Sequence, residues 1–352
     1  MAGIGLSLPA ARGHQGDRDY FIVSVPNAVL NNFFTVNMDP PEEKSQRPLN
    51  PKHAKEIAEY ILSNPSEYVL PTVVYAVDNT CEFTPSELSP DVGVLTITAG
   101  TNMRCLDGQH RRQGLNEAIA EEPDLAKDFT SILIYVEPDV IKRRQMFSDM
   151  NATPVRVSTA LNISFDSRNP FARVTKKLSE DHPHFAGVFE SEAGRVKPTS
   201  PRWYALNALF KSLLHLESGP SARVKDYDQF KDEDLYKVGT QFLDLLWNNR
   251  YEFKEVTEGR ATAESMRLKS ILFWGSTMRA LAAAIWLARD AESRYGELSE
   301  FGPALKAIDF SPGNARWSDV GFILPGKTTP LDRFKPLTDA SHEILRLLKR
   351  KS

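Results

Sequence analysis

The 352-residue chain has only two cysteines, Cys81 and Cys105. That number excludes a disulfide scaffold and every multi-cysteine zinc or iron–sulfur site, and a reduced, cytoplasmic compartment is expected. There is no excess of either charge. Forty-three basic residues against 46 acidic ones leave a formal net charge of −3, which rules out a globally basic nucleic-acid coat while allowing local basic patches. No apolar run reaches the ~18 residues of a membrane span. The most apolar stretch, Ala280 to Ala288, is short and bracketed by Arg279 and Arg289. The first twenty residues lack an apolar core behind a basic start, so no signal peptide is expected and no membrane partner either. No G-x-x-x-x-G-K-[ST], G-x-S-x-G or H-E-x-x-H motif is present, which removes P-loop ATPases, α/β-hydrolases and zincin proteases. No internal repeat or low-complexity segment stands out.

What is present is an ordinary globular composition, 41% hydrophobic and 25% charged, at a length that suits two domains. Tyr20 to Val25 reads as a first strand. Asn50 before Pro51 reads as the N-cap and first-turn proline of a helix to Leu62, with Ile57, Tyr60 and Ile61 on its buried face. Leu70 to Val77, Val94 to Thr98, Met103 to Leu106 and Ser131 to Val136 read as strands, and Cys81 to Asp91 as an irregular excursion. A helix is expected from Gly108 or Gln109 to Ala120, and another, capped by Asp139, to Met150. From about residue 165 helical periods dominate: Phe171–Ser179, Arg202–Leu216, Asp232–Asn248, Ala263–Glu292 and Thr338–Lys349. Trp203, Trp247, Trp274 and Trp286 lie within these periods as core anchors. The expected fold class is α+β over residues 1–165, followed by a mainly helical domain over 166–352.

The segment richest in chemistry is Cys105-Leu106-Asp107-Gly108-Gln109-His110-Arg111-Arg112, where a strand feeds a helix. A glycine there permits an unusual φ and a close backbone approach, and the first helix amides point outward at positive potential. Arg111 or Arg112 can add a bidentate phosphate contact. His110 can donate to a phosphate or transfer a proton. Asp107 can receive a ribose hydroxyl, hold a magnesium-bound water, or orient His110. A plain turn, with Asp107 capping the helix and the arginines in surface ion pairs, is the competing interpretation.

Asp-Gly-Gln-His-Arg is the name-giving motif of DGQHR-domain proteins, and the chain resembles the DndB family of bacterial systems that place sulfur in the DNA backbone. Ser45 to Asn50 resembles the family's QR-x-L-N segment, Pro71 and its strand the following block. Gln145 to Asn151 resembles the second box, and Val157-Ser158 its continuation. The likeness extends over about residues 20 to 215. A related 7-deazaguanine DNA-modification branch shares the motif. A wider resemblance to the ParB and sulfiredoxin superfamily implies a ParB/sulfiredoxin-like fold for the first domain and gives Gly108, His110 and Arg111 a phosphate role. The same likeness makes Arg143, Arg144, Asp149 and Asn151 candidates for holding phosphate and magnesium. Sulfiredoxins have their catalytic cysteine where this chain has Gln109, and Cys105 lies outside that position, so cysteine sulfinic reduction is not expected.

The resemblance implies a DNA-binding accessory or regulatory protein of a DNA phosphorothioation system, with ATP and Mg²⁺ as cofactors of a weak ATPase. Asp107, His110 and Asp149 are the catalytic candidates. Gly108, Gln109, His110, Arg111, Arg112, Arg47, Arg143, Arg144 and Asn151 are the phosphate-binding ones. Double-stranded DNA is the expected partner, met by Arg168, Arg173, Lys176, Lys177, Arg195, Lys197, Arg202, Lys211, Arg223 and Lys225, with other modification proteins as further partners. A homodimer through Ala263–Glu292 is set against burial of that helix, and burial is favoured because the segment is apolar round most of its girth. A metal site at His182-Pro183-His184 is set against a solvated turn, and the turn is favoured. The alternatives in function are a ParB-like metal-dependent nuclease and a non-catalytic accessory protein of another DNA-modification system.

Overall fold

The computed structural model describes residues 5–34, 49–77, 81–99, 101–152, 157–220, 224, 227, 229–289 and 296–349. The chain forms two compact units, 1–155 and 156–352. The division falls ten residues before the 165/166 boundary expected from the sequence, because the helix Thr159–Phe165 packs against helices of the second unit.

The first unit contains strands β1 (Leu6–Gln15), β2 (Arg18–Pro26), β3 (Val73–Val77), β4 (Cys81–Ser86), β5 (Ser89–Ile97), β6 (Met103–Asp107) and β7 (Phe129–Val136). Its helices are α1 (Asn27–Phe33), α2 (Pro51–Ser63), α3 (Gln109–Glu121) and α4 (Val140–Ala152). The strands make one seven-stranded sheet in the order β4-β5-β1-β2-β7-β3-β6, antiparallel except for the β3–β7 pair. All five residues of β3 are buried, and its period-2 alternation sorts them between two cores. Val73, Tyr75 and Val77 face a core shared with Ala58 and Ile61 of α2 and Leu115 and Ala118 of α3. Val74 and Ala76 face a smaller one with Leu106, Tyr135 and Met146 of α4. The sheet is thus covered on both faces, and β6, which carries the motif, is an edge strand.

Two expectations for this unit are corrected. Cys81–Asp91 is not an excursion: β4 and β5 pair antiparallel as a hairpin, with Phe83 opposite Leu95. β1, which the sequence reading did not assign, pairs with both β2 and β5; only its Leu8 and Ala10 are buried, which left too weak an apolar pattern to read.

The second unit is helical: α5 (Thr159–Phe165), α6 (Pro170–Asp181), α7 (Leu206–Ser218), α8 (Asp232–Asn249), α9 (Tyr251–Thr257), α10 (Ala263–Lys269), α11 (Gly275–Ala288), α12 (Gly302–Ala307), α13 (Ala315–Asp319) and α14 (Phe334–Leu348). A minimal parallel pair, β8 (Phe189–Glu190) and β9 (Tyr204–Ala205), completes it. The single helical period expected over Ala263–Glu292 is broken. Ser270 is extended, accepts a hydrogen bond from the Leu272 N–H and donates to buried Glu252, so the chain turns between α10 and α11. Trp274 accordingly lies outside a helix, half-buried; Trp203 also lies outside one, buried ahead of α7. α11 is buried along most of its length, as its apolar composition suggested. A buried ion pair braces this unit: Arg250 Nη2 lies 2.5 Å from Glu252 Oε1, and Arg250 also donates to the carbonyls of Leu305 and Ile308. The His182–His184 turn is not solvated as expected, since His182 is buried beside Asp244 and Phe185. His184 stacks on Trp247 at 4.1 Å.

Candidate functional site

The strand-to-helix corner forms where the sequence placed it. β6 ends at Asp107, Gly108 takes φ +100°, and α3 starts at Gln109. A left-handed residue lets the chain turn directly from an edge strand into a helix. A side chain at Gly108 would also meet Val73 Cγ1 and Arg111 Nη2, both at 3.0 Å. The Arg112 N–H is the first to close back, onto the Gly108 carbonyl at 2.9 Å. Among the described residues the N–H groups of His110 and Arg111 therefore have no acceptor within the helix, and α3 has no side-chain cap.

α2 packs against α3 and brings its N-terminus to the corner. Asn50 caps α2 through its side chain, which accepts from the Lys52 N–H. Its own N–H donates to His110 Nε2 at 2.9 Å. Nε2 is thus an acceptor, and in the neutral ring the proton sits on Nδ1. Burial first, then neighbouring His53 and Arg111, hold the His110 pKa below the usual histidine value, against the pull of Asp107. The His53 ring lies 5.2 Å from that of His110.

Arg111 Nη2 lies 2.8 Å from Asp107 Oδ2 and donates to the Thr72 carbonyl at 3.3 Å. Its Nε is buried and has no acceptor among the described residues. Across the corner, α4 contributes Phe147 and Asn151. These elements enclose a cavity of about 260 Å³ walled by Asp107, Gly108, Gln109, His110, Arg111 and Asn151, with His53, Ile57 and Phe147.

The structure distributes the remaining candidates elsewhere. Arg112 points away from this cavity's wall, buried near Tyr75 and Cys105, with its Nε unpartnered. Arg143 is buried and donates to the carbonyls of Glu137 and Pro138, tying the loop after β7 to α4. Arg144 and Asp149 are exposed on α4 outside the cavity wall, and Gln145 donates to Asp149. Arg47, Arg223 and Lys225 lie outside the described residues, as does Gln46. Among the described residues, no group of three or more His, Cys, Asp or Glu side chains is placed to hold a metal ion.

His53, Ile57 and Phe147 were absent from the sequence reading of the corner. The signal for His53 was available: it follows the Asn50-Pro51 helix start by one turn, and that start packs on the motif helix.

The DNA candidates lie in the second unit. Arg168, Lys176, Lys177, Arg195, Lys197 and Arg202 are exposed. Lys177 sits 4.6 Å over the Tyr236 ring, and Arg202 donates to the Gly187 carbonyl. Arg173 has a structural task, gripping Asp232 through two hydrogen bonds and the carbonyls of Ser167 and Arg168. Lys211 is half-buried, against the expectation of a surface patch.

A sheet covered on both faces, a glycine corner at the end of its edge strand and a separate helical unit define a two-part mixed α/β protein. Nearly the whole chain matches one family model, DndB, described as DNA-sulfur modification-associated, over residues 8–343; the chain belongs to the DndB family. No curated protein and no solved structure matches it. Among the described residues no helix is long and apolar enough to cross a membrane.

Proposed function

We propose that the protein is a DNA-binding accessory protein of a DNA sulfur-modification system that controls transcription of the modification genes. In this reading its DGQHR corner binds the phosphates of ATP and tunes the affinity for DNA. The observation that carries the nucleotide reading is the first turn of α3. The open N–H groups of His110 and Arg111, the Arg111 guanidinium with its buried Nε and the His110 ring meet in one cavity. Helix amides and a fork of guanidinium donors suit tetrahedral oxyanions. At about 260 Å³ the cavity suits the phosphate chain, with the nucleoside outside.

A magnesium ion travelling with the nucleotide would find one carboxylate on the wall, Asp107. Magnesium is commonly held by one or two carboxylates plus substrate phosphates, so the residues fit. Such an ion would neutralise phosphate charge when bound. The chain's own contribution is positional: the α3 amides and Arg111 hold phosphate oxygens, Asp107 steadies Arg111, and Asn50 fixes the His110 tautomer. The DNA reading is supported by the family and by the exposed cations of the second unit. Such contacts follow phosphates and fix position; they carry no sequence information by themselves.

Anisotropy titrations of the promoter duplex of the modification genes and a scrambled duplex, each with and without Mg-ATP, test the reading. Expected are preference for the promoter, affinity that falls steeply with salt, and a change on adding Mg-ATP that Arg111→Ala abolishes. Binding indifferent to ATP, or an ATP effect intact in folded Arg111→Ala protein, would remove the corner from the mechanism. No binding to either duplex would leave a partner-dependent accessory role, to be sought by pull-down with the modification enzymes.

A further inference from the structure

The second unit contains a larger cavity that the corner reading does not use, about 460 Å³ against about 260 Å³. Small-molecule sites usually span ~300–1,000 Å³, so this cavity is of ligand size. Its walls carry six cations, Arg195, Lys211, Arg267, Arg279, Lys327 and Arg333, and one acid, Asp332. Asp332 is taken by Arg279. Arg267 is taken by the carbonyls of Pro198, Ser200 and Arg202. Lys211 has no hydrogen bond or ion pair among the described residues. Burial first, then Arg279, lowers its pKa against the pull of Asp332. A half-buried amine beside a second cation is costly unless something anionic joins it.

Two helices begin at this cavity. α7 starts after Ala205 and α11 after Trp274, and neither has a side-chain cap. The N–H groups of Thr277 and Met278 both turn back to the Trp274 carbonyl, so those of Gly275 and Ser276 are the open ones. Ser276 supplies an independent sign. Its side chain is on the cavity wall, the residue is only 8% exposed, and its hydroxyl makes no hydrogen bond among the described residues. The Arg279 Nε on the same wall is buried and has no hydrogen-bond partner among the described residues, which is unusual in a folded protein. Trp274, half-buried on the same wall, offers aromatic surface of the kind on which a base stacks.

We propose that this cavity is a second, independent ligand site, for a phosphorylated small molecule of nucleotide size. The phosphate group sits on the N-terminus of α11, held by the Gly275 and Ser276 N–H groups, the Ser276 hydroxyl, Lys211 and Arg279. The exposed side chains of Arg195, Lys327 and Arg333 form a cationic rim that draws the anion in.

The test uses the full chain with Arg111→Ala, which disables the corner, and titrates ATP, pyrophosphate and orthophosphate by calorimetry and tryptophan fluorescence. Expected is one equivalent of ATP or pyrophosphate with a fluorescence change. Lys211→Met in that background should weaken it about tenfold or more, and Ser276→Ala about fivefold. No heat and no fluorescence change at millimolar probe, or undiminished affinity in a folded Lys211→Met protein, overturns the proposal. Duplex DNA binding that Lys211→Met weakens and ATP does not displace also overturns it, since the cavity would then belong to backbone phosphates. The corner is scored separately: its signature is a second ATP equivalent in the wild-type chain that Arg111→Ala removes while the Lys211-dependent equivalent stays.

Discussion

The two charged cavities of this protein are built in opposite ways. The corner cavity takes most of its wall from seven consecutive residues, Cys105 to Arg111, and its charge is balanced by the pairing of Arg111 with Asp107. The cavity of the helical unit gathers its wall from residues 194 to 333 and holds six cations against one acid. A local site is made by backbone: one left-handed glycine and one open helix turn. A non-local site is made by packing, where α7 and α11 meet and the β8–β9 pair and the segment before α14 close over them. The difference teaches what can break each. The corner depends on conformation and caps; the helical cavity depends on the stability of its whole unit.

The largest effect should come from the brace of the helical unit. Arg250→Ala leaves the Glu252 carboxylate, itself 1% exposed, buried with Ser270 as its one side-chain donor among the described residues. Breaking a buried pair on one side costs about 3–5 kcal/mol. Chemical denaturation should show the second unit losing stability by this amount, with ATP or pyrophosphate binding at the α11 cavity lost in step. Retained stability would mean that Glu252 is rescued by solvent.

A pH titration sharpens the comparison without any mutation. His215 lies on α7, and its Nδ1–H donates to the Arg279 carbonyl of α11 at 3.2 Å. Burial above all pushes its pKa down to about 4 from 6.5. The unfolded chain binds a proton there that the folded chain refuses. The contribution is therefore complete above pH 6.5, declines as pH falls, and is gone below about 4. It amounts to about 3 kcal/mol. His182, also lowered by burial, adds in the same direction. In the first unit, the lowered pKa of His110 predicts that acidification also breaks the Asn50–His110 hydrogen bond. His215→Gln should flatten the acid limb of stability for the helical unit and leave the corner's acid sensitivity unchanged.

Packing of α2 on α3 is a non-local requirement of the corner. A Cβ at Gly114 would lie 2.6 Å from the Ala54 carbonyl oxygen and 2.7 Å from Ile57 Cβ. Gly114→Ala should destabilise the first unit by about 2 kcal/mol, within the ~1–3 kcal/mol typical of overpacking. It should also weaken phosphate binding at the corner with no corner side chain altered, by moving Asn50 and His53 off His110. Unchanged binding in the variant would show that α2 is dispensable to the site.

How much of this was legible in the sequence follows the same division. The corner was read to within a residue because Met103, Cys105 and Leu106 alternate into two cores and a glycine then interrupts them. Asn50-Pro51 announced α2 for an equally local reason, a capping side chain followed by a fixed φ. The edges of helices in the second unit were blurred where an apolar run continued through a break: nothing in the composition of Ala263–Glu292 revealed that Ser270 is extended. β1 was missed because a strand with few buried side chains has no strong period. The helical cavity was out of reach altogether. Arg195 and Lys211 were visible as charge, but their meeting with Arg279 and Ser276 depends on the packing of α7 against α11. Arg143, by contrast, looked like a phosphate ligand by its place just before the second box, and the fold uses it on two carbonyls.

The smallest expected effect separates cap from site. Asn50 performs two tasks with different atoms: its side chain caps α2, and its N–H holds His110. Asn50→Ala removes the first and keeps the second, at a cost of about 1 kcal/mol. Asn50→Asp keeps the cap and adds a negative charge beside the anion cavity. If the corner is an anion site, Asp should leave thermal stability near wild type yet weaken phosphate binding more than Ala does. The opposite order, with Ala the weaker binder, would mean that the cap positions the corner and that the charge there is immaterial.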